Sequence, residues 1–208
     1  MRNSPEEQVK LAIDILKKGG IVAYPTDTVY GLGASSCDER AIDKVYTVKK
    51  RSRSLALPLL IADTSELVKV AAVVPEIAWR LAERFMPGGL TLVLQKSDLV
   101  SSTITAGGDT VAVRVPDHPV PIALIRGLGA PLIGTSANVS GSPSPTTARE
   151  VYEQLGQGAD LIIDGGRCPG GTESTIVDVS GEAPAIIREG AVTRHEIEEA
   201  CGPSVVVL

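Results

Sequence analysis

Apolar residues along this 208-residue chain recur with the two periods that distinguish helices from strands. Residues 4–7 have the form of a capping box with proline at the first helical position, and apolar residues from Val9 to Leu16 follow at helical spacing. Gly19-Gly20 is a typical end for such a helix. The pattern therefore predicts an amphipathic helix at the start of the chain.

The same criteria predict the remaining elements. Further helices are expected from Asp38, from about Thr64 and from Pro75, and over residues 119–127, 146–155 and 193–201. Strands are expected over residues 21–24, 57–62, 90–95, 110–115, 131–134, 160–163, 175–179 and 185–188. Residues 204–208 fit either a last strand or a frayed tail. Because helices and strands alternate without a strict βαβ rhythm, the predicted class is α/β with an open, twisted, mixed sheet. Neither a linker nor an internal repeat divides the chain, so we expect one domain over residues 1–208.

Composition narrows the function classes. The net charge is −5 and aromatic residues make up 3% of the chain, which disfavours nucleic-acid binding through base stacking or a strongly basic surface. The three cysteines, Cys37, Cys168 and Cys201, are too far apart in sequence for a zinc motif and are typical of a reducing cytoplasm. No apolar run approaches the length of a membrane span, so we expect a cytoplasmic protein without a membrane partner.

Two segments place polar or cationic groups where an α/β sheet binds ligands. "IVAYPTDTVYGLGA", residues 21–34, runs from a buried strand directly into hydroxyls, a carboxylate and what we interpret as a glycine turn. "TVKKRSRS", residues 47–54, is strongly basic, and its Lys49 and Arg51 are candidates to bind phosphates. For residues 21–34 the alternative is a turn whose threonines cap the local backbone. For residues 47–54 it is a solvated basic helix end.

Two further segments add polar groups in apolar surroundings. In "DTVAVRVP", residues 109–116, alternation puts Thr110, Ala112 and Arg114 on one face of a strand. Arg114 must meet an anion, which is either a ligand or a carboxylate in a buried ion pair, or else lie on an open face of the sheet. "GTSANVSGSPSP", residues 134–145, is rich in hydroxyls and amides. Its Ser136 is a weak candidate nucleophile, because the segment lacks Gly-x-Ser-x-Gly and the chain has two histidines.

The last candidate segments are "GGTESTIVDVS", residues 170–180, and "IIREG", residues 186–190. Both are polar turns at strand ends. His118 and His195 fit surface or capping positions, and no spacing of His, Cys and carboxylates indicates a transition-metal site. This inventory of cations, hydroxyls and backbone amides suits the binding of a polyanion better than proton abstraction by histidine.

The order of these motifs resembles that of the YrdC/Sua5 family. "YPTDTVYGLGA", "VKKR", "MPGGLTLVL", "TAGGDTVAVRVPDHP", "GTSANVSGSPSPT", "GGTESTIVDVS" and "IIREGAV" follow one another as in that family, from about residue 10 to residue 197. The resemblance implies a single YrdC-like domain: an open α/β sheet with flanking helices and a concave, positively lined cleft. Longer members carry an additional C-terminal domain, which we do not expect here.

The resemblance also implies roles for individual residues. Those expected to contact L-threonine are Thr26, Arg114 and Ser174. Those expected to contact the nucleotide are Lys49, Arg51, Thr110, Ser136, Asn138, Ser144 and Arg188, with Lys49 and Arg51 taken as catalytic through their hold on the phosphates. Leu60 stands where some members have a threonine-contacting histidine, and Ser52 and Ala56 replace prolines.

The activity implied is an adenylation. Members form L-threonylcarbamoyladenylate and pyrophosphate from L-threonine, bicarbonate and ATP, with Mg²⁺ accompanying ATP and metal ligands that the sequence does not identify. Other proteins then transfer the threonylcarbamoyl group to tRNA position 37, and the sequence leaves direct tRNA binding open. Two alternatives remain: a carbamoyl-adenylate-forming domain, and a non-catalytic RNA-binding or ribosome-assembly factor.

Overall fold

The computed structural model describes residues 4–202 and 206–207. Its helices are α1 (Pro5–Lys17), α2 (Glu39–Lys49), α3 (Leu67–Val70), α4 (Glu76–Phe85), α5 (Pro119–Leu128), α6 (Ala148–Leu155) and α7 (Arg194–Cys201), with 3₁₀ turns at Thr64–Glu66 and Gly156–Gly158. The capping box at Ser4 is present, because its side chain accepts from the Glu7 amide and the Glu7 carboxylate accepts from the Ser4 amide. The prediction for the first helix is thus confirmed.

The strands are β1 (Val22–Tyr24), β2 (Gly31–Gly33), β3 (Leu59–Leu60), β4 (Leu90–Gln95), β5 (Thr110–Arg114), β6 (Leu132–Ile133), β7 (Thr135–Ser136), β8 (Leu161–Ile162), β9 (Thr175–Asp178), β10 (Ala185–Arg188) and β11 (Val206–Val207). β11 runs parallel to β10. The rest of the predicted C-terminal segment, residues 204, 205 and 208, lies outside the described residues.

Parallel and antiparallel pairs mix in both sheets, which confirms the predicted α/β class. The larger sheet has the order β11-β10-β9-β4-β5-β3-β6 and the smaller one β7-β2-β1-β8. The chain passes from one sheet to the other at Gly134, between β6 and β7. A Cβ atom at Gly134 would lie 2.3 Å from the Leu60 side chain, so only glycine allows this close approach of the two sheets.

Two predictions of irregular structure were wrong. The glycines after Tyr30 do not form a flexible turn but a strand, β2, which pairs with β1 through Tyr24 and Gly31. Glycine is needed because a Cβ atom at Gly31 or Gly33 would lie 2.7 Å from the ring of the buried Tyr24. Thr135–Ser136, predicted as part of a loop, forms β7 on the edge of the same sheet. In both cases, tertiary pairing overrides a local composition that is typical of loops.

The apolar side chains form a large core around both sheets and a smaller one beneath α1 and α5. On β5, Val111 and Val113 face the large core, whereas Ala112 and Arg114 face a cavity on the other side. The alternation predicted for this strand is confirmed. The face of the larger sheet opposite the core can therefore carry polar side chains that bind a ligand.

Candidate functional site

A cavity of about 550 Å³ collects most of the predicted polar segments. The β1–β2 loop, the end of α2, β5, the residues from β7 to Ser142, the start of β9 and the end of β10 all contribute to its wall. Its cationic side chains are those of Lys49, Arg51, Arg114 and Arg188. Among the described residues on this wall, the one carboxylate is that of Glu173. The predicted concave, positively lined cleft is therefore present.

A larger cavity, of about 770 Å³, lies behind β3 and is a weaker candidate. Leu59 and Ile61 line it, whereas Leu60 between them lines the cationic cavity. Its wall is mainly apolar and collects none of the predicted site residues. The chemistry, rather than the size, selects the smaller cavity.

Arg114 is the most constrained cation in the site. Its Nε donates to the Gly88 carbonyl at 2.8 Å, its Nη1 donates to Thr28 Oγ1 at 2.9 Å, and its Nη2 donates to both carboxylate oxygens of Asp27 at 2.6 and 2.7 Å. Burial lowers the pKa of Arg114, and Asp27 opposes that shift. The structure thus contains the buried ion pair that the sequence left as an alternative to a ligand.

The Arg114 guanidinium nevertheless keeps one donor for a ligand. The Nη1 nitrogen carries two N–H groups, and the contacts above use one of them, for Thr28. Within residues 4–202 and 206–207, the remaining N–H on Nη1 has no acceptor. Asp27 is the positioning partner of this arginine.

Lys49 is buried at the last turn of α2, and its ammonium group donates to three oxygens at the end of β7 and just after it. These are the Ser136 carbonyl, the Asn138 carbonyl and Asn138 Oδ1. Desolvation, followed by repulsion from Arg51, lowers the pKa of Lys49 to about 8, while Glu173 acts in the opposite direction. The ammonium therefore anchors residues 136–138 to α2 while contributing charge to the cavity wall.

The rest of the basic segment is divided between the cavity and solvent. Arg51 lines the cavity and donates to the carbonyls of Leu55 and Ala56, and burial lowers its pKa. Lys50 and Arg53 are exposed, and Arg53 pairs with Asp43. One half of the segment thus faces the cavity, and the other is the solvated helix end.

Arg188 approaches the cavity from β10 and is held on two sides. Its Nε and Nη2 donate to the Ser174 carbonyl at 3.1 and 2.7 Å, and its Nη1 is paired with the Glu173 carboxylate. The other oxygen of that carboxylate accepts from the Ser144 hydroxyl. Glu173 therefore links β10, the start of β9 and the segment after β7. The sequence pattern placed Glu173 in a candidate segment but indicated no role for it.

The hydroxyl groups of the site are largely engaged within the protein. Thr26 Oγ1 donates to the Val29 carbonyl and accepts from the Thr28 amide, so the threonines cap the local backbone while lining the cavity. Ser136 Oγ donates to Asn138 Oδ1 at 2.6 Å. Both histidines lie outside the residues that line the cavity, which leaves Ser136 without a histidine base. His118 caps α5, and His195 is an exposed residue of α7.

Thr110 and Ser144 are the two predicted site residues that the described wall of the cavity does not include. Thr110 is at the start of β5, two residues before Ala112, which places it about 7 Å further along the strand. Ser144 bonds to Glu173, which does line the cavity. Their contacts with a nucleotide stay a prediction, whereas Thr26, Ser174 and the four cations share one cavity with Ser136 and Asn138.

A protein cage for a divalent ion does not fit this site. No cluster of three or more His, Cys, Asp or Glu side chains is placed to hold a metal within residues 4–202 and 206–207. The one carboxylate on the cavity wall is already bonded to Arg188 and Ser144. Any Mg²⁺ would therefore depend mainly on oxygens supplied by a ligand.

The fold and the site together define an α/β protein with a cationic, hydroxyl-lined cleft suited to small anions. The model of the family described as Sua5_yciO_yrdC, telomere recombination, matches residues 14–190. The chain belongs to this Sua5/YciO/YrdC family.

Individual relatives agree with this placement. A threonylcarbamoyl-AMP synthase of Bacillus subtilis is 43% identical over 199 residues, which cover 95% of this chain and 58% of that protein. A putative threonylcarbamoyl-AMP synthase of Methanocaldococcus jannaschii is 36% identical over 192 residues, covering 90% of this chain and 89% of that protein. The crystal structure of Pyrococcus abyssi Sua5 complexed with L-threonine superposes with a TM-score of 0.94 at 40% identity, over 100% of this chain and 61% of that one.

The chain spans about 58% of the length of the first of these relatives, so the match covers only part of that longer relative. No helix within the described residues combines the length and the apolar character that crossing a bilayer requires.

Proposed function

We propose that this chain catalyses the formation of L-threonylcarbamoyladenylate and pyrophosphate from L-threonine, bicarbonate and ATP. The observation that carries the proposal is the convergence of Lys49, Arg51, Arg114 and Arg188 on one cavity. Relatives named threonylcarbamoyl-AMP synthase and the threonine complex of a structural neighbour support the choice of substrates. The class of enzyme is a nucleotidyltransferase.

In this reaction the threonine amine adds to carbon dioxide with loss of a proton, or to bicarbonate with loss of water, and becomes an N-carboxylate. An oxygen of the resulting N-carboxylate attacks the α-phosphorus of ATP, and pyrophosphate leaves. Negative charge on oxygen accumulates in the transition state, so fixed cations provide most of the stabilisation. Mg²⁺ bound to the triphosphate would neutralise part of that charge.

Each cation has a distinct task in this proposal. The free N–H of Arg114 binds the threonine carboxylate, and Thr26 and Ser174 line the same part of the cavity. Arg51 and Arg188 bind phosphate oxygens, while Lys49 adds charge and fixes Ser136 and Asn138 beside the nucleotide. Because the guanidinium of Arg114 is already oriented by its other contacts, little ordering is required when threonine binds.

Mass spectrometry of a mixture of the protein, ATP, Mg²⁺, L-threonine and ¹³C-labelled bicarbonate tests the proposal. We expect a new species with the mass of threonylcarbamoyl-AMP that carries the label, together with pyrophosphate. Arg114→Met should lose most of this product, and Arg149→Met, at an exposed arginine of α6, should not. A product formed from carbamoyl phosphate without threonine would instead support the carbamoyl-adenylate alternative. Tight RNA binding with no adenylated product would support the non-catalytic one.

A further inference from the structure

Glu173 occupies an unusual position, because among the described residues that line the cavity every other charged side chain is a cation. One of its oxygens is paired with Arg188 Nη1, and the other accepts from Ser144 Oγ. The family resemblance implies that both Arg188 and Ser144 contact the nucleotide. Two groups expected to contact the nucleotide are therefore already bound to an internal anion.

The surrounding contacts hold the backbone of Glu173 in place, whereas its side chain, which carries the carboxylate, can still rotate. The Glu173 carbonyl accepts from the Ala191 amide at 2.8 Å. A Cβ atom at Gly190 would lie 2.2 Å from that carbonyl oxygen, so the two segments are in close contact. The Glu173 side chain keeps 32% of its exposure. Rotation of the side chain alone would release Arg188 and Ser144.

Arg188 would stay in place after such a release. Its Nε and Nη2 remain bonded to the Ser174 carbonyl, and only Nη1 points to Glu173. The freed edge of the guanidinium would then present a donor to a phosphate oxygen without moving the arginine.

We propose that Glu173 is an internal competitor for the phosphate site: its carboxylate exchanges with the phosphate oxygens of ATP, and it returns to Arg188 and Ser144 as pyrophosphate leaves. The proposal rests on the proposed function for the identity of the ligand. It assigns Glu173 the role of a positioning residue that weakens product binding and thereby favours release.

The first test is the binding of inorganic pyrophosphate alone, measured by calorimetry at neutral pH, to the unaltered protein and to Glu173→Gln. The variant keeps the shape of the side chain and removes its charge. We expect roughly fivefold tighter binding in the variant, and stronger inhibition by pyrophosphate in turnover. Glu182→Gln is the matched control, because it makes the same change in net charge at an exposed position outside the cavity, and should leave the affinity unchanged.

A purely structural Glu173 would give unchanged or weaker binding in Glu173→Gln, and either result overturns the proposal. A second test needs no variant: a crystal structure of the unaltered protein with pyrophosphate should show Arg188 Nη1 bonded to phosphate and separated from Glu173. A bound pyrophosphate with that ion pair intact would also refute it.

These outcomes are distinguishable from those of the proposed function. Formation of threonylcarbamoyl-AMP without tighter pyrophosphate binding in Glu173→Gln would reject the exchange alone. Tighter binding without any adenylated product would reject the proposed reaction and keep the internal competitor.

Discussion

Two arginine–carboxylate pairs border the same cavity and differ in how deeply they are buried. In the Arg114–Asp27 pair, the side chains keep 9% and 16% of their exposure, whereas in the Arg188–Glu173 pair they keep 40% and 32%. Each arginine also donates to a backbone carbonyl, Gly88 for Arg114 and Ser174 for Arg188. The two pairs thus share a chemical design and differ mainly in solvent access.

Burial determines what each pair can do. Separating Arg114 from Asp27 would leave charges with little access to water, which costs several kcal/mol in typical proteins. Arg188 and Glu173 can recover hydration when they part, and exposed pairs contribute about 1 kcal/mol or less. The Arg114–Asp27 pair, here called the inner pair, therefore fixes the site. The Arg188–Glu173 pair, the outer pair, is suited to exchange with a ligand.

The largest expected effect comes from breaking the inner pair. Asp27→Ala should lower the free energy of unfolding by about 3 kcal/mol, because it leaves the Arg114 guanidinium buried without its counterion. Urea denaturation followed by circular dichroism measures this. Asp117→Ala is the control, since Asp117 is an exposed neighbour and should change stability by less than about 0.5 kcal/mol. Equal losses in the two variants would contradict the assignment of the inner pair as structural.

The affinity for pyrophosphate should depend on pH through Lys49, whose pKa is affected by Glu173 of the outer pair. The pKa of Lys49 in the folded chain, about 8, lies below its ordinary value of 10.5, so this residue is charged below pH 8 and loses its proton above it. Pyrophosphate affinity should therefore be full below that pH and fall by about threefold as the pH rises through it.

The same titration can be followed in two variants by calorimetry. Because Glu173 acts to raise the pKa of Lys49, Glu173→Gln should move the step in pyrophosphate affinity to lower pH. Lys49→Met should abolish the step. A step that is identical in all three proteins would show that Lys49 is not its origin.

The smallest effect is expected for the stability of the outer pair. Glu173→Gln should change the free energy of unfolding by no more than about 0.5 kcal/mol, since the pair is more than one-third exposed on Arg188 and the amide can still accept a hydrogen bond. A loss comparable to that of Asp27→Ala would remove the distinction between the two pairs. Chemical denaturation of both variants under the same conditions provides the comparison.

Local patterns anticipated most of the fold. The capping box of α1, the Asp38 cap of α2 and the alternation of β5 were predicted from neighbours in sequence and are present. β3 is shorter than the predicted strand over residues 57–62, because two of those residues pair in the ladder. β2 and β7 were not predicted, since glycine and hydroxyl residues form strands there only through pairing with distant segments.

The sequence by itself determined which residue types the site would contain: the cations, the hydroxyl groups and the strand ends that carry them. Only the tertiary structure decided their partners. Asp27 meets Arg114 across 87 residues, and Lys49 meets Asn138 across 89. Local sequence carries no record of such distant pairs. Nor does it fix solvent access, which separates the buried pair of Arg114 from the exchangeable pair of Arg188, because the exposure of a charge depends on every segment that packs around it.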